Sequence, residues 1–464
     1  MEIILINPPH PPPRDPYYYY PMGIASIMAY LEEHAYSPKF LDFYDSLDAE
    51  DGWKKITETL PLEKPDIVGI PVFTENRIPA LNFAAVVKKL YPAAKIILGG
   101  PHPSVMYVQI LQNYDVDAVV IGEGEVTFLE IVKAVEDNKS FETITGIAYK
   151  ERNGKLRITK PRELMQPLDS LPMPAYHHFN LTREESPLSG IQVVFSRGCP
   201  FKCQFCSESA FWRNTFRARS VEQCVDELRY LTVQYGVRKF IVYDALISVN
   251  KKRSIEFCKA IIEKEINIQW GARLRLDNVD REILQWLKKA GCIGISYGVE
   301  SGSQKILNNI NKKISVDQII RGFDLTHEAG LIAEASIMVG NPGENWKTIF
   351  ETDRLLKRIK PDRTYIIPTK IYPGTPLYDV ARDKGLIDDT YWLSDKPVPH
   401  FTENFSSEKI RFFISLLNLN QVESNKPSLT LRDKIETYSQ QIYIIAKHLI
   451  KIILQQLKIL SRKM

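Results

Sequence analysis

Ile191-Gln192-Val193-Val194-Phe195-Ser196-Arg197-Gly198-Cys199-Pro200-Phe201-Lys202-Cys203-Gln204-Phe205-Cys206 joins an apolar, β-branched run to a glycine, then to three thiols at gaps of four and three residues. Such a run reads as a buried strand, and parallel barrels keep their sites at the carboxyl ends of strands. Three soft thiolates at this spacing wrap one cube of iron and sulfide and leave its fourth iron without a protein ligand. An open iron suits a catalyst, because a molecule with an amine and a carboxylate chelates it. The other reading is a zinc knuckle or plain buried thiols. Structural zinc takes four ligands, and no further Cys or His lies close; His177 and His178 stand over twenty residues upstream. Cys224, Cys258 and Cys292 fall on expected helix or strand and read as small core residues.

Downstream of the first strand, Ile191–Ser196, further strands are expected at Lys239–Tyr243, Ile268–Ala272, Cys292–Val299, Ile332–Val339 and Thr364–Pro368, with amphipathic helices between them. Six such βα units fit a partial (β/α)6 barrel over residues 190–405. Upstream, apolar runs at Ile3–Asn7, Pro38–Asp42, Ile67–Pro71, Ala94–Gly99 and Ala118–Gly122 alternate with helices expected over Gly23–Ala35 and Ala80–Leu90. That is the pattern of a doubly wound, Rossmann-like parallel sheet, here residues 1–140. Residues 141–189 carry Pro167, Pro172, Pro174 and Pro187 among charged residues and read as hairpin and linker. The expected fold is therefore α/β: a doubly wound parallel sheet, then the partial barrel, then a helical C-terminal extension over residues 406–464.

In that extension Lys447, Lys451, Gln455, Lys458 and Arg462 recur at helical spacing opposite Ile442, Ile445, Leu449, Ile453, Leu457 and Leu460. This basic amphipathic pattern belongs to a helix that lies in an anionic membrane interface or packs its apolar stripe on protein. From Arg432 onward seven Lys or Arg face two acids, while the whole chain of 464 residues carries only +4, which argues against nucleic-acid binding. Hydrophobic residues at 44% and charged residues at 25% suffice for real cores. Six cysteines in so long a chain, three of them crowded together, are no disulfide scaffold and point to a reducing compartment. The start Met1-Glu2-Ile3-Ile4 lacks the basic flank of a signal peptide, and no run of about 18 apolar residues occurs. A cytoplasmic location follows, at the inner face of the membrane where the tail meets lipid. The Tyr17–Tyr20 run hints at an apolar substrate or at packing.

The thiol loop, with aromatic Phe205 before its last cysteine, resembles the radical S-adenosylmethionine superfamily. The resemblance implies that the methionyl group chelates the open iron of a 4Fe-4S cluster held by Cys199, Cys203 and Cys206. One electron then splits the sulfonium, and a 5′-deoxyadenosyl radical abstracts hydrogen. Gly298-Val299-Glu300-Ser301-Gly302 resembles the Gly-x-Glu-Ser that contacts S-adenosylmethionine in such barrels, and Gly340-Asn341-Pro342-Gly343-Glu344 resembles the loop after the fifth strand. Glu300 then holds the ribose or the methionyl amine, or remains a carboxylate near a helix start. Phe205, Ser301, Arg273, Asp244 and Gly340 are the other implied contacts; Tyr243 stands at a strand end as well. The sequence departs from many relatives at Asp244-Ala245, where two adjacent acids are common.

Four upstream loops would share the carboxyl edge of the first sheet: Asn7-Pro8-Pro9-His10, Phe73-Thr74-Glu75, Gly99-Gly100-Pro101-His102-Pro103 and Gly122-Glu123-Gly124-Glu125. Together they resemble the cobalamin-binding domain that precedes the barrel in one branch of these enzymes. Asn7, Thr74, Gly99, Gly100, His102, Gly122 and Glu123 are the implied corrinoid contacts, with His102 read equally well as a loop residue. The Gly-x-Gly-x-x-Gly spacing for a dinucleotide is absent, and the rival reading is a module that binds nothing. An Asp-x-His-x-x-Gly element is absent too, so no histidine is expected beneath cobalt.

The function so implied is methyl transfer to an unactivated carbon through a 5′-deoxyadenosyl radical and methylcobalamin. Two alternatives stand beside it: a radical cyclase, oxidase or rearrangement enzyme of lipid or tetrapyrrole metabolism with the same cofactors, and a non-catalytic iron-sulfur or corrinoid carrier. The expected partners are a small-molecule or lipid substrate and an electron donor such as flavodoxin or ferredoxin.

Overall fold

The run Ile3–Asn7 is apolar on both faces and buries all five residues, as a central parallel strand covered on both sides requires. In the computed structural model, which describes residues 1–10, 20–46, 58, 64–151, 153–181, 190–425, 446, 448 and 450, it forms β1. The chain divides into two units. One comprises residues 1–198, 210–237 and 389–398, the other 199–209, 238–388 and 399–464.

In the first unit β1 joins β2 (Lys39–Asp42), β3 (Ile67–Pro71), β4 (Lys95–Gly99), β5 (Ala118–Val120), β6 (Ile147–Lys150) and β7 (Leu156–Ile158) in one sheet. The order is β2-β1-β3-β4-β5-β6-β7, parallel as far as β5. The β6/β7 hairpin, from the stretch expected to be hairpin and linker, adds antiparallel at one edge. Order 2-1-3 puts the topological switch point between β1 and β3, where doubly wound sheets place ligands. Helix Met22–Glu33 sends Ile24, Met28 and Leu31 into a core shared with Phe128, Leu129 and Ile131. Among the described residues, helices Pro101–Asn113 and Glu125–Glu136 lie outside the expected set. The first opens on Pro101, a residue tolerated at the first helical position because the missing N–H has no intrahelical partner there. His102 is thus a first-turn helical residue.

All six expected barrel strands form. The first is β8 (Ile191–Val193); the chain then bends, and β9 (Ser196–Arg197) pairs antiparallel with β10 (Arg217–Ala218). In the second unit β11 (Lys239–Val242), β12 (Gln269–Leu274), β13 (Cys292–Glu300), β14 (Ile332–Val339) and β15 (Arg363–Pro368) are consecutive parallel neighbours. Their side chains alternate as a two-faced barrel wall demands: Ala333, Ala335 and Ile337 are buried, while Glu334 and Ser336 point to the other, half-open face. Helix Val316–Glu328 starts on a Ser315/Gln318 capping box, and helix Trp346–Ile359 on Asn345 with Thr348.

Of the C-terminal extension, helix Ser407–Asn425 is described; the expected amphipathic tail lies outside the described residues except for Ala446, His448 and Ile450. Tyr17, Tyr18 and Tyr19 also lie outside them. Tyr20 is buried and donates its hydroxyl to the Asn180 carbonyl at 2.9 Å, a packing role. Among the described residues no helix is long and apolar enough to cross a membrane.

At the end of β13 the chain comes hard against helix Trp346–Ile359. The Gly302 N–H donates to Thr352 Oγ1 at 2.9 Å, and a β-carbon on Gly302 would stand 2.5 Å from Thr352 Cα and 2.6 Å from the Glu351 carbonyl oxygen. Backbone cannot yield as a side chain does, so Gly302→Ala is expected to cost about 1–3 kcal/mol, the range for overpacking. A lowered thermal unfolding midpoint checks this; an unchanged midpoint contradicts the close approach.

Candidate active site

The loop Cys199–Cys206 starts beyond Gly198, whose φ of 85° is left-handed and whose β-carbon would lie 2.3 Å from the Thr215 carbonyl oxygen. Glycine is thus required where the strand turns into the loop. All six cysteines are free; Cys199 and Cys203 are buried and Cys206 half-buried. Two main-chain bonds and one side-chain bond pin the loop to the rest of its unit: Gln204 N–H to the Ile310 carbonyl at 3.0 Å, Leu377 N–H to the Gln204 carbonyl at 2.9 Å, and the Asn311 side-chain Nδ2 to the Lys202 carbonyl at 2.6 Å. The Arg275 guanidinium lies 3.8 Å over the Phe201 ring and also donates to the Lys312 carbonyl, while its Nε binds Asp277. Burial pushes the Cys199 thiol up to about 11, with Cys206 and Cys203 adding to it and Arg275 opposing; burial likewise raises Cys206. Three thiolates this dry need cations among them.

Glu300 ends β13 with φ 64°, an uncommon conformation for a residue with a side chain, at a register shift between β13 and β14. Its buried carboxylate meets Lys312 Nζ at 2.8 Å. Burial works against the Lys312 charge, but Glu300, with Cys203 next, holds its pKa above the ordinary value. A β-carbon on Gly298 would stand 2.4 Å from Glu300 Oε1 and 2.7 Å from Lys312 Nζ, so the glycine makes room for the pair. The segment that carries Lys312 is the one that pins the thiol loop. Lys312, Arg275 and Phe201 were not among the residues expected at the site, and their only signal was basic or aromatic character near the motifs.

Among the expected contacts in this unit, Phe205 is half-buried, and Ser301 is fully buried with its hydroxyl 3.3 Å from Thr352 Oγ1. Asp244 is buried at the end of β11, and the Arg273 guanidinium lies 4.1 Å over the Tyr243 ring. Pairing sets Arg273, Ser296, Glu334 and Arg363 in one row across four strands. Burial raises the Glu334 carboxyl despite Arg363 and Arg273. Gly340 has φ 98°, and its N–H donates to Glu344 Oε2 at 2.5 Å, as does that of Asn341 at 3.2 Å.

The first unit assembles the other expected residues. His102 Nδ1 sits 3.3 Å from Thr74 Oγ1 with its ring edge-on to Trp392, and burial first, then Arg77, drives its pKa down to about 3. Gly100 has φ 100°, and a β-carbon there would stand 2.9 Å from the Val72 carbonyl oxygen; Gly99 packs beside Val120. Gly122, φ 88°, has open space where a β-carbon would stand. Across the switch point His10 Nε2 lies 2.8 Å from Asn76 Nδ2, beside exposed Phe73. Two side chains are committed elsewhere. Asn7 donates to Asp42 Oδ1 at 3.0 Å, and the Glu123 carboxylate takes Arg197 at 2.7 Å, Arg217 at 2.9 Å and the Met165 N–H at 2.8 Å.

The model of the Radical SAM superfamily matches residues 193–356, and that of the B12 binding domain matches residues 15–132. An uncharacterised methyltransferase of Pyrococcus horikoshii is 31% identical over 400 residues, covering 84% of this chain and 86% of that protein. This chain belongs to the cobalamin-binding radical S-adenosylmethionine family. The anaerobic magnesium-protoporphyrin IX monomethyl ester cyclase of Rubrivivax gelatinosus is 30% identical over 382 residues, 80% of this chain and 67% of that protein. The radical S-adenosylmethionine methyltransferase TsrM of Kitasatospora setae, solved with cobalamin and a 4Fe-4S cluster, shares the fold at a TM-score of 0.69 and 18% identity, over 82% of this chain and 75% of that one.

As a member of this family the protein is an enzyme whose cofactors are a 4Fe-4S cluster, S-adenosylmethionine and cobalamin. The donor set fits the cluster. Cys206 and Cys203 both act electrostatically on the Cys199 thiol, so the three sulfurs stand as neighbours, and three soft thiolates are the donors such a cube takes. Open space above Gly122 and the exposed Phe73 ring suit a broad, flat corrinoid.

Glu344 gives the second unit a measurable pH dependence. Burial pushes its carboxyl from 4.5 up to about 7, although the Gly340 and Asn341 donors oppose the shift. The folded state therefore binds the proton more tightly than the unfolded chain, so stability is full below about pH 4.5 and is lost as pH rises to about 7. At 1.36 kcal/mol per pH unit the loss is roughly 3 kcal/mol. Glu344→Gln is expected to flatten the fall of the unfolding midpoint over that window; an unaltered slope contradicts the assignment.

Proposed function

We propose that this enzyme transfers a methyl group to an unactivated carbon of an apolar small molecule. The observation that carries the reading is the thiol loop bonded to Ile310 and Asn311, beside the buried Glu300–Lys312 pair, which brings an iron-binding donor set near a matched carboxylate and ammonium. When bound, the cluster supplies the electron that splits S-adenosylmethionine, and cobalamin supplies the methyl carrier.

In this account Cys199, Cys203 and Cys206 hold three irons, and burial of the loop shields them from water. Glu300 and Lys312 offer opposite charges to the amine and carboxylate of the methionyl group, and the remaining strand-end residues of the second unit close round the nucleoside. In the first unit the main chain at Gly99, Gly100, Gly122 and Glu123, with Thr74 and His102 beneath, forms the corrinoid bed; Asn7 steadies its edge through Asp42. Residues 1–140 thus serve cobalamin and residues 190–405 the radical chemistry. Tyr365 and Ile367 lie on the same side of β15 as Arg363, whose partner Glu334 is on the half-open face, and both are exposed. An apolar substrate, small or lipid-like, suits that surface. A reducing cytoplasm, a flavodoxin or ferredoxin donor and contact of the basic tail with an anionic membrane complete the reading.

Methyl transfer is favoured by the 31% identity to the Pyrococcus methyltransferase, and the cyclase of comparable identity favours a second reading, ring closure with the same cofactors. Reduced, cofactor-loaded enzyme with its substrate is expected to release both S-adenosylhomocysteine and 5′-deoxyadenosine, with a product heavier by one methylene. A product without that gain supports cyclisation, and protein that never cleaves S-adenosylmethionine contradicts both readings.

A further inference from the structure

Away from the thiols, two adjacent histidines and one glutamate converge. Glu32 stands in the last turn of helix Met22–Glu33, and His177 and His178 occupy the short 3-10 turn Tyr176–His178. His178 Nε2 lies 2.6 Å and His177 Nε2 3.1 Å from the same Glu32 oxygen, Oε1, with the ring centroids 4.2 Å apart. Among the described residues this is the one group in which three candidate metal-donor atoms lie within 4.8 Å of one another.

The turn is held for reasons unconnected with the histidines. Tyr176 is buried and donates its hydroxyl to Glu227 Oε1 at 2.6 Å, Arg219 binds the other oxygen of Glu227, and the Ala175 N–H donates to the Ala25 carbonyl at 3.0 Å. These anchors, on the two residues just before the histidines, present the imidazoles to helix Met22–Glu33 before any ion arrives. Among the described residues no Lys or Arg forms an ion pair with Glu32, and its Oε1 meets the two rings. Two imidazole nitrogens and one carboxylate oxygen are the protein donor set of known zinc sites, in which water takes the fourth position. Zinc bonds of about 2.0–2.2 Å hold tetrahedral donors about 3.4 Å apart, so each of the two carboxylate–imidazole separations needs to open by less than about 1 Å.

We propose that Glu32, His177 and His178 bind one divalent zinc ion at the surface of the first unit, with water in the remaining position, so that the ion bridges the turn Tyr176–His178 and helix Met22–Glu33. The site is distinct from the cluster by donor chemistry: it holds nitrogen and oxygen, never sulfur. It is half-exposed, with His177 51% open to solvent, so the ion exchanges with the medium.

The test uses enzyme loaded with cluster and cobalamin, so that the three thiols are already occupied, in anaerobic equilibrium dialysis against zinc chloride. One zinc per chain is expected, with unchanged iron, a raised unfolding midpoint and an X-ray absorption first shell of nitrogen and oxygen. Glu32→Gln, which keeps the size and a hydrogen-bond acceptor, and His178→Ala are each expected to weaken binding at least about tenfold and to abolish the rise in midpoint. A first shell containing sulfur, zinc uptake unaltered in both variants, or no uptake by the parent enzyme overturns the proposal. The absorption measurement on the parent enzyme keeps the test decisive even if a variant folds poorly.

Discussion

The organisation of the second unit depends on one buried ion pair and the backbone round it. Lys312 and Glu300 are both withdrawn from water, a state that survives only while each neutralises the other, since removing one partner of such a pair strands a charge at a cost of several kcal/mol. Gly298 leaves the space, Glu300 adopts a left-handed backbone to reach it, and the segment that carries Lys312 binds the thiol loop through Ile310 and Asn311. The three thiols are therefore positioned by a segment that an electrostatic contact about a hundred residues away in sequence holds in place.

The first unit solves a different problem with similar means. Its loops must leave backbone open at a sheet edge while staying ordered, and glycines with positive φ at Gly100 and Gly122 give the opening. Order comes from side chains turned inward. The Glu123 carboxylate is saturated by Arg197, Arg217 and the Met165 N–H, so its part in the loop is a strut, with the main chain left to face outward. His102 is likewise held under Trp392 and kept neutral by burial, which makes it a floor for the loop.

Much of this was legible in the residues because local pattern has local causes. The apolar alternation of Ile332–Val339 and the β-branched run Ile3–Asn7 mark strands wherever they occur, and the spacing of Cys199, Cys203 and Cys206 needs no tertiary knowledge to suggest a cluster. Helix Pro101–Asn113 was hidden behind two prolines that read as loop, although proline suits a first turn. Lys312 and Arg275 were invisible for a deeper reason. Nothing in Asn311-Lys312-Lys313 distinguishes a buried lysine from two ordinary surface ones until β13 brings Glu300 beside it. The same holds for Glu32 and the histidine pair, separated by some 145 residues and joined only by the fold.

The claim beneath the whole account is that three thiols grip an iron-sulfur cube whose vacant corner takes S-adenosylmethionine. Its most direct test compares anaerobically prepared parent enzyme with a variant in which Cys199, Cys203 and Cys206 are all alanine, reading iron and sulfide content, the spin-resonance spectrum after reduction, and release of 5′-deoxyadenosine. The account predicts one 4Fe-4S cluster per chain and reductive cleavage in the parent, with both lost in the variant. A parent without the cluster, or a cluster that persists in the variant, would contradict it.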